Sequence, residues 1–303
     1  MQEQDKSINL TKLNFGENKR KYIASCSFGK DSLAMVLLLI EKKYPLDIVV
    51  FYDTGMEFQA IYNMRDKIVP ILEKNNIEYV ELHPENTFEY DMFERPVYKR
   101  GTKTVHKYGY SWCGGNCRWG TTNKTKAIKD FYKQFENEEI YEYVGIAIDE
   151  PLRLPKDGSF QITLENKIKS YPLAEWGMAE KDCLDYCYQH DYDWLEYEPI
   201  LKKNVRLYDI LPRVSCWCCR NKNLDELRNY YHCLPSYWNR LKEMQCKLPC
   251  DPMKKASGSV FDLQKRFVLE DKWIENGREK EIKSKKFFDE LKREVNNGDD
   301  LLE

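Results

Sequence analysis

One stretch, Tyr22 to Lys43 (YIASCSFGKDSLAMVLLLIEKK), leaves this chain few ways to fold. It reads as a short strand, Tyr22 to Cys26, then a tight loop, Ser27-Phe28-Gly29-Lys30-Asp31-Ser32, then an apolar helix. Leu33, Val36, Leu37 and Ile40 fall at helical spacing, and Ala34, Met35, Leu38 and Leu39 fill most of the remaining circumference. Such a helix is predicted to be buried. A strand turning directly into a helix aims backbone N–H groups and the positive dipole end at one point, which suits an anion. Lys30 adds a charge there, and Ser27 and Ser32 add hydroxyls. The loop is not a Walker A motif, because Ala24 stands where its first glycine belongs and Asp31 where its Ser or Thr belongs.

The next segments repeat the pattern. Leu46 to Tyr52 (LDIVVFY) is a continuous apolar run of strand length, as a parallel strand covered on both faces requires. It ends in Asp53-Thr54-Gly55-Met56-Glu57-Phe58, a helix through about Glu73 follows, and Ile77 to Leu82 alternates as a third strand. Tyr141 to Ile148 reads as a fourth strand, ending at Asp149-Glu150 with Arg153 just beyond. The expected fold is α/β: a doubly wound, Rossmann-like parallel sheet with a helical C-terminal region. Ligands of such sheets bind beyond the carboxyl ends of the strands, where both loops lie. The expected organisation is a lead-in over residues 1–20, a nucleotide-binding domain over 21–223 and a helical region over 224–303.

The chain carries eleven cysteines. Its start does not resemble a secretory signal and it has no apolar run of membrane-spanning length, so a reducing compartment, the cytoplasm, is expected. There, cysteines more often bind metal or do chemistry than form disulfides. Cys113 and Cys117 are four apart with two glycines between them; Cys216 and Cys219 form a Cys-x-x-Cys with Cys218 inside it. Two close pairs separated by a long spacer follow the arithmetic of a four-thiolate site, for zinc or iron. A redox dithiol at Cys216 and Cys219 would leave the first pair without a purpose. Cys26, Cys183 and Cys187 read as core residues.

SFGKDS resembles the pyrophosphate loop of the adenine-nucleotide alpha hydrolases, in the branch containing phosphoadenosine phosphosulfate (PAPS) reductases, and DTGMEF resembles that branch's second motif. The resemblance spans roughly Tyr22 to Asn223. It implies ATP or a related adenylate as ligand, with Ser27, Gly29, Lys30, Asp31 and Ser32 holding phosphates and Lys30 and Asp31 closest to the chemistry. Asp53, Thr54, Gly55 and Arg153 would complete the nucleotide site, with magnesium a further implied ion. Iron–sulfur adenylylsulfate reductases, and similarly the DNA-phosphorothioation sulfurtransferases, place a cysteine pair after the third strand and a Cys-x-x-Cys farther on to hold a 4Fe-4S cluster. Carried over, the ligands are Cys113, Cys117, Cys216 and Cys219, with Cys218 able to replace any of them. Here the first pair is Cys-x-x-x-Cys rather than tandem, and zinc suits four thiolates equally well.

Residues 95–133 hold ten basic side chains, from Arg95 to Lys133, against Asp130 alone, with Tyr98, Tyr108, Tyr110, Trp112 and Trp119 among them. A nucleic-acid strand or a nucleotide would suit this surface, as would a plain solvated face. The expected activity is adenylation of a substrate with release of pyrophosphate, followed by sulfur transfer to a nucleic acid or small molecule. The alternatives are a reductase of adenylylsulfate or its phosphorylated form, and a zinc-stabilised nucleic-acid-binding module with a vestigial loop. Against the reductase, residues 254–303 contain no cysteine and no histidine. The attacking thiolate that those enzymes carry near a mobile C-terminus therefore has no counterpart there.

Overall fold

The computed structural model describes residues 20–113, 117–164 and 167–296. The lead-in before Arg20, the Gly114-Gly115-Asn116 knuckle and the last seven positions lie outside the described residues. In chain order the elements are β1 (Arg20–Ser25), α1 (Lys30–Glu41), β2 (Ile48–Tyr52), α2 (Gln59–Lys74), β3 (Glu78–Leu82), β4 (Pro96–Tyr98), β5 (Val105–Tyr108), α3 (Lys124–Tyr132) and β6 (Glu139–Val144). Then come β7 (Gln161–Leu164), β8 (Lys167–Ser170), α4 (Pro172–Glu175), α5 (Glu180–Gln189), β9 (Leu195–Glu198), β10 (Lys203–Arg206) and α6 (Leu207–Ile210). The helices α7 (Leu224–Cys233), α8 (Pro235–Cys246), α9 (Val260–Glu275) and α10 (Lys285–Asn296) close the described chain.

The central sheet runs β3-β2-β1-β6-β8-β7, parallel except for β7, which pairs antiparallel with β8. The order reverses between β1 and β6, so the loops leaving these two strands face each other across the crevice where such sheets bind ligands. Every residue of β2 is buried, as its unbroken apolar run requires. The buried side of α1 packs on α5, where Cys183 and Cys187 join the core with Leu33 and Val36.

The helices beyond Asn223 share that core. Phe58, just ahead of α2, lies 5.9 Å from Tyr230 and 5.0 Å from Tyr237, ring centre to ring centre. Asn223 starts α7 with a capping box: its side chain accepts from the Glu226 N–H at 2.8 Å, and Glu226 accepts from the Asn223 N–H at 2.7 Å. Ser259 and Asp262 start α9 in the same way. In the charged tail, α10 is held by Phe287 against Trp273, 5.2 Å apart. Among the described residues no helix is long and apolar enough to cross a membrane. Two short antiparallel hairpins, β4–β5 and β9–β10, stand outside the central sheet.

Candidate active site between the phosphate loop and the cysteine stretches

The loop after β1 is built around Ser32. Its hydroxyl accepts from the Ser27 N–H at 3.1 Å, lies 3.1 Å from the Ser27 hydroxyl and donates to the Gly29 carbonyl at 3.2 Å. Phe28 takes a left-handed backbone with φ +55, unusual for a bulky residue. Packing over-determines it: the ring is fully buried against Phe51, and the Trp194 indole donates to its carbonyl at 2.7 Å. Gly145, at the exit of β6, has to lack a side chain because a Cβ there would sit 2.9 Å from the Ser32 Cα.

Lys30 is committed to partners within the protein. Its ammonium is buried between Asp31 (2.9 Å) and Glu180 (2.7 Å). Burial opposes that charge, but Asp31 and Glu180 outweigh it and raise the Lys30 pKa. The pairing continues through Arg213 to Glu180 (3.3 Å) and Glu150 (2.5 Å), and Arg153 reaches Glu150 at 2.6 Å. Arg153 and Asp31 therefore sit in one ionic chain on the flank of the loop, and Arg213 is a member that no sequence motif marks. The Lys30 backbone N–H donates to the Tyr208 hydroxyl at 2.8 Å.

The second motif turns toward the cysteines. Asp53 folds back on itself, accepting from the Gly55 N–H and the Tyr62 hydroxyl, both at 2.8 Å. Gly55 supplies the positive φ that this turn needs. The Thr54 hydroxyl lies 2.8 Å from Glu57 and 3.3 Å from the Cys216 sulfur, and the Trp217 N–H donates to the Met56 carbonyl at 2.9 Å. The loop after β2 thus seats the second cysteine stretch.

A cavity of about 310 Å³ brings the parts together. Cys113, Cys117, Cys216, Cys218 and Cys219 all line it, and Ser27 of the phosphate loop lines the same space. Arg220 ties the two stretches by donating to the Trp112 carbonyl at 3.0 Å. A turn closed by the Cys219 N–H on the Cys216 carbonyl (3.0 Å) shapes the second stretch. Burial pushes the thiols of Cys113, Cys117, Cys216 and Cys218 up.

Three further wall residues, Tyr52, Trp112 and Trp119, each keep a buried O–H or N–H that no protein acceptor meets. Lys124 and Glu57 also line the cavity; burial lowers the Lys124 pKa and raises that of Glu57. Lys222 is buried close behind, hydrogen-bonded to Ser215 at 3.1 Å. Five thiols, orphaned donors and nearby cations fit an anionic group held by thiolates, which describes a 4Fe-4S cluster and also a zinc–thiolate centre. Lys124 and Lys222 stand outside the sequence motifs, and Glu57 lies inside DTGMEF, where no residue pattern marks it as part of the site. The prior signal for all three is position, in or close to a motif.

The fold and this cavity define an α/β phosphate-loop protein with a multi-thiol site at the switch point of its sheet. The chain belongs to the phosphoadenosine phosphosulfate reductase domain family, which it matches over residues 21–222. It is 24% identical over 245 residues to an uncharacterised protein of Methanocaldococcus jannaschii, a match covering 77% of this chain and 43% of that relative. The chain thus spans less than half the length of that curated relative. Among solved structures, a U34-tRNA thiolase from Methanococcus maripaludis with its 4Fe-4S cluster matches at a TM-score of 0.39 and 17% identity, covering 77% of this chain and 73% of that one.

Proposed function

We propose that this protein uses ATP to adenylate an oxygen on its substrate and then replaces that oxygen with sulfur, the substrate being a nucleic acid. One observation supports this most: Ser27 of the phosphate loop and all five cysteines of the two stretches line a single cavity. A nucleotide lodged at Ser27, Gly29 and Ser32 and a sulfur-handling centre on Cys113, Cys117, Cys216 and Cys219 would then work on the same substrate atom. Cys218 lines the same wall and is the alternative ligand in place of one of them.

In the first half-reaction a substrate oxygen bonds to the α-phosphorus and the α–β phosphoanhydride breaks, releasing pyrophosphate. In the second, a sulfide adds to the activated carbon, the carbon–oxygen bond breaks and AMP leaves. Cys113, Cys117, Cys216 and Cys219 would hold the cluster, which would supply a binding place for the sulfur. The protein's own part is electrostatic. The Ser27 and Ser32 hydroxyls and the N-terminal N–H groups of α1 face charge developing on the departing pyrophosphate. Lys124 and Arg220 are cations on the cavity wall that both halves share. Lys30 acts through position, holding Asp31 and α5 against the loop. Asp53, Thr54 and Gly55 shape the turn that carries Cys216, and Arg153 steadies Glu150. Magnesium on the pyrophosphate would complete the charge balance.

Anaerobic purification followed by iron, sulfide and zinc analysis, with labelled ATP in the presence of RNA or DNA, tests this reading. The expected outcome is brown protein, about four irons per chain as a cluster of this type holds, and AMP with pyrophosphate as products. Colourless protein with stoichiometric zinc, or ADP and phosphate as the products, overturns it.

A further inference from the structure

The basic segment ahead of the first cysteine pair is a built feature rather than a loose charged loop. The hairpin β4–β5 is rooted by three backbone bonds: Gly109 N–H to the Arg95 carbonyl (2.8 Å), Tyr110 N–H to Asp91 (2.9 Å) and Ser111 N–H to Met92 (3.0 Å). Gly109 has φ +69, and a Cβ there would lie 2.1 Å from the Met92 carbonyl oxygen, so only glycine closes this root. Beyond the root all four residues of β5 are exposed. Tyr98 and Tyr108 are 55% and 67% exposed, unusually bare for large aromatics with no packing role. Lys99, Arg100, Lys103 and Lys107 surround them, and no carboxylate occurs between residues 95 and 129.

At the foot of the hairpin a second cavity, about 500 Å³, is walled by Tyr90, Arg95, Tyr98, Tyr110 and Arg118. The Arg118 guanidinium lies 4.2 Å from the centre of the Tyr110 ring, and that of Arg95 lies 5.6 Å from it. Flat aromatic and guanidinium surfaces around an open slot suit a planar ring, and the surrounding lysines suit the phosphates on either side of it. Arg118 directly follows Cys117, so the slot and the cysteine cavity are separated by adjacent residues of one segment.

We propose that the hairpin and this slot bind a single-stranded nucleic acid. An unpaired base stacks among Tyr98, Tyr110 and Arg118, the backbone runs along the hairpin lysines, and a neighbouring nucleotide reaches the cysteine cavity. The inference rests on the nucleic-acid reading of the substrate and adds where the strand lies and why it is single. Bases in a duplex are stacked on one another and cannot enter a side slot, and an acidic protein would use the lysines without needing the slot.

The test is fluorescence anisotropy of the full chain with labelled single-stranded RNA, single-stranded DNA and a duplex of one sequence. Wild type is expected to bind a single strand about tenfold or more tighter than the duplex; whichever strand, RNA or DNA, binds tighter names the source, and either supports the site. Tyr98→Ala is expected to weaken single-strand binding about tenfold while Tyr98→Phe stays within about twofold, the pattern that stacking produces. Lys103→Glu with Lys107→Glu is expected to weaken binding and flatten its salt dependence. Absence of binding at low salt overturns the proposal. So does a lysine effect with none from Tyr98→Ala, which points to a non-specific or acidic-protein surface. ATP binding and metal content of the same wild-type preparation keep the failures apart. If both are intact while the duplex alone binds, this inference alone falls; if both are intact while nothing binds, the nucleic-acid substrate falls with it; if both are lost, the adenylation and sulfur-transfer reading falls.

Discussion

Two sets of cysteines in this molecule share a residue type and little else. Cys26, Cys183 and Cys187 lie within the core, none more than 2% exposed. Their neighbours are α1 side chains and backbone: the Cys187 thiol meets the Lys30 carbonyl at 3.6 Å, and the Cys26 sulfur accepts from the Phe28 N–H at 3.4 Å. Burial pushes Cys26 up to about 11 and Cys187 up to about 12, so both remain neutral thiols that act as small apolar residues. Cys113, Cys117, Cys216, Cys218 and Cys219 sit on connecting segments around one cavity, among orphaned indole donors and cations. Burial raises thiols in both sets. What separates them is the surroundings: the first set is finished by helix packing, and the second lines one cavity.

The sharpest way to break this contrast is a pair of substitutions. Cys216→Ser is expected to remove most of the bound iron. Cys183→Ser is expected to leave iron unchanged while lowering stability by about 2 kcal/mol, the cost of a buried hydroxyl poorly matched to its site. Iron analysis with denaturant unfolding reads both, and iron retained in Cys216→Ser would erase the distinction between the sets.

A similar loss of stability comes from Lys30→Ala. It leaves Asp31 and Glu180 facing each other without a cation and is expected to cost about 2 kcal/mol, below the range for a fully buried pair because both carboxylates are partly exposed. It should also weaken ATP binding, since the helix end shifts when that pairing is lost. Unchanged unfolding would mean the ammonium is free to serve a ligand directly, and isothermal titration with ATP separates the two effects.

The smallest effect is on pH dependence. Partial burial works to raise the Glu180 pKa, but Lys30 and Arg213 outweigh it and hold the pKa below the ordinary glutamate value. A carboxylate with a lowered folded pKa adds stability above its unfolded pKa and loses it as the pH falls through the folded value. Wild type is therefore expected to lose stability below about pH 4.5 more steeply than Glu180→Gln, by less than about 1 kcal/mol because the group is a quarter exposed. Parallel melting curves from pH 3 to 7 measure this window, and identical slopes would remove Glu180 from the ionic chain.

The sequence made the sheet legible where apolar runs were long. LDIVVFY could only be a covered strand, and the α1 pattern only a buried helix. Two close cysteine pairs about a hundred residues apart were readable as arithmetic, and the structure lines one cavity with both through links that no pattern announced, Arg220 to Trp112 and Trp217 to Met56. The hairpins were not legible. β4 has three residues and pairs through a register shift at Val97 and Tyr98, so neither strand is long enough to show alternation. Nor was the direction of Lys30, because Glu180 lies 150 positions away and no local pattern announces it. Lys124 and Glu57 escaped for the same reason: their importance comes from the cavity they share.

The phenol of Tyr208 gives the phosphate loop an internal comparator. Its oxygen already accepts from the Lys30 N–H at 2.8 Å, so a ligand that needs this donor has to be the better acceptor. A neutral carbonyl competes with a phenol on nearly level terms. A phosphate oxyanion forms charge-assisted bonds roughly twice as strong. The Tyr208 contact therefore sets a threshold at this donor that charge crosses more readily than neutral polarity.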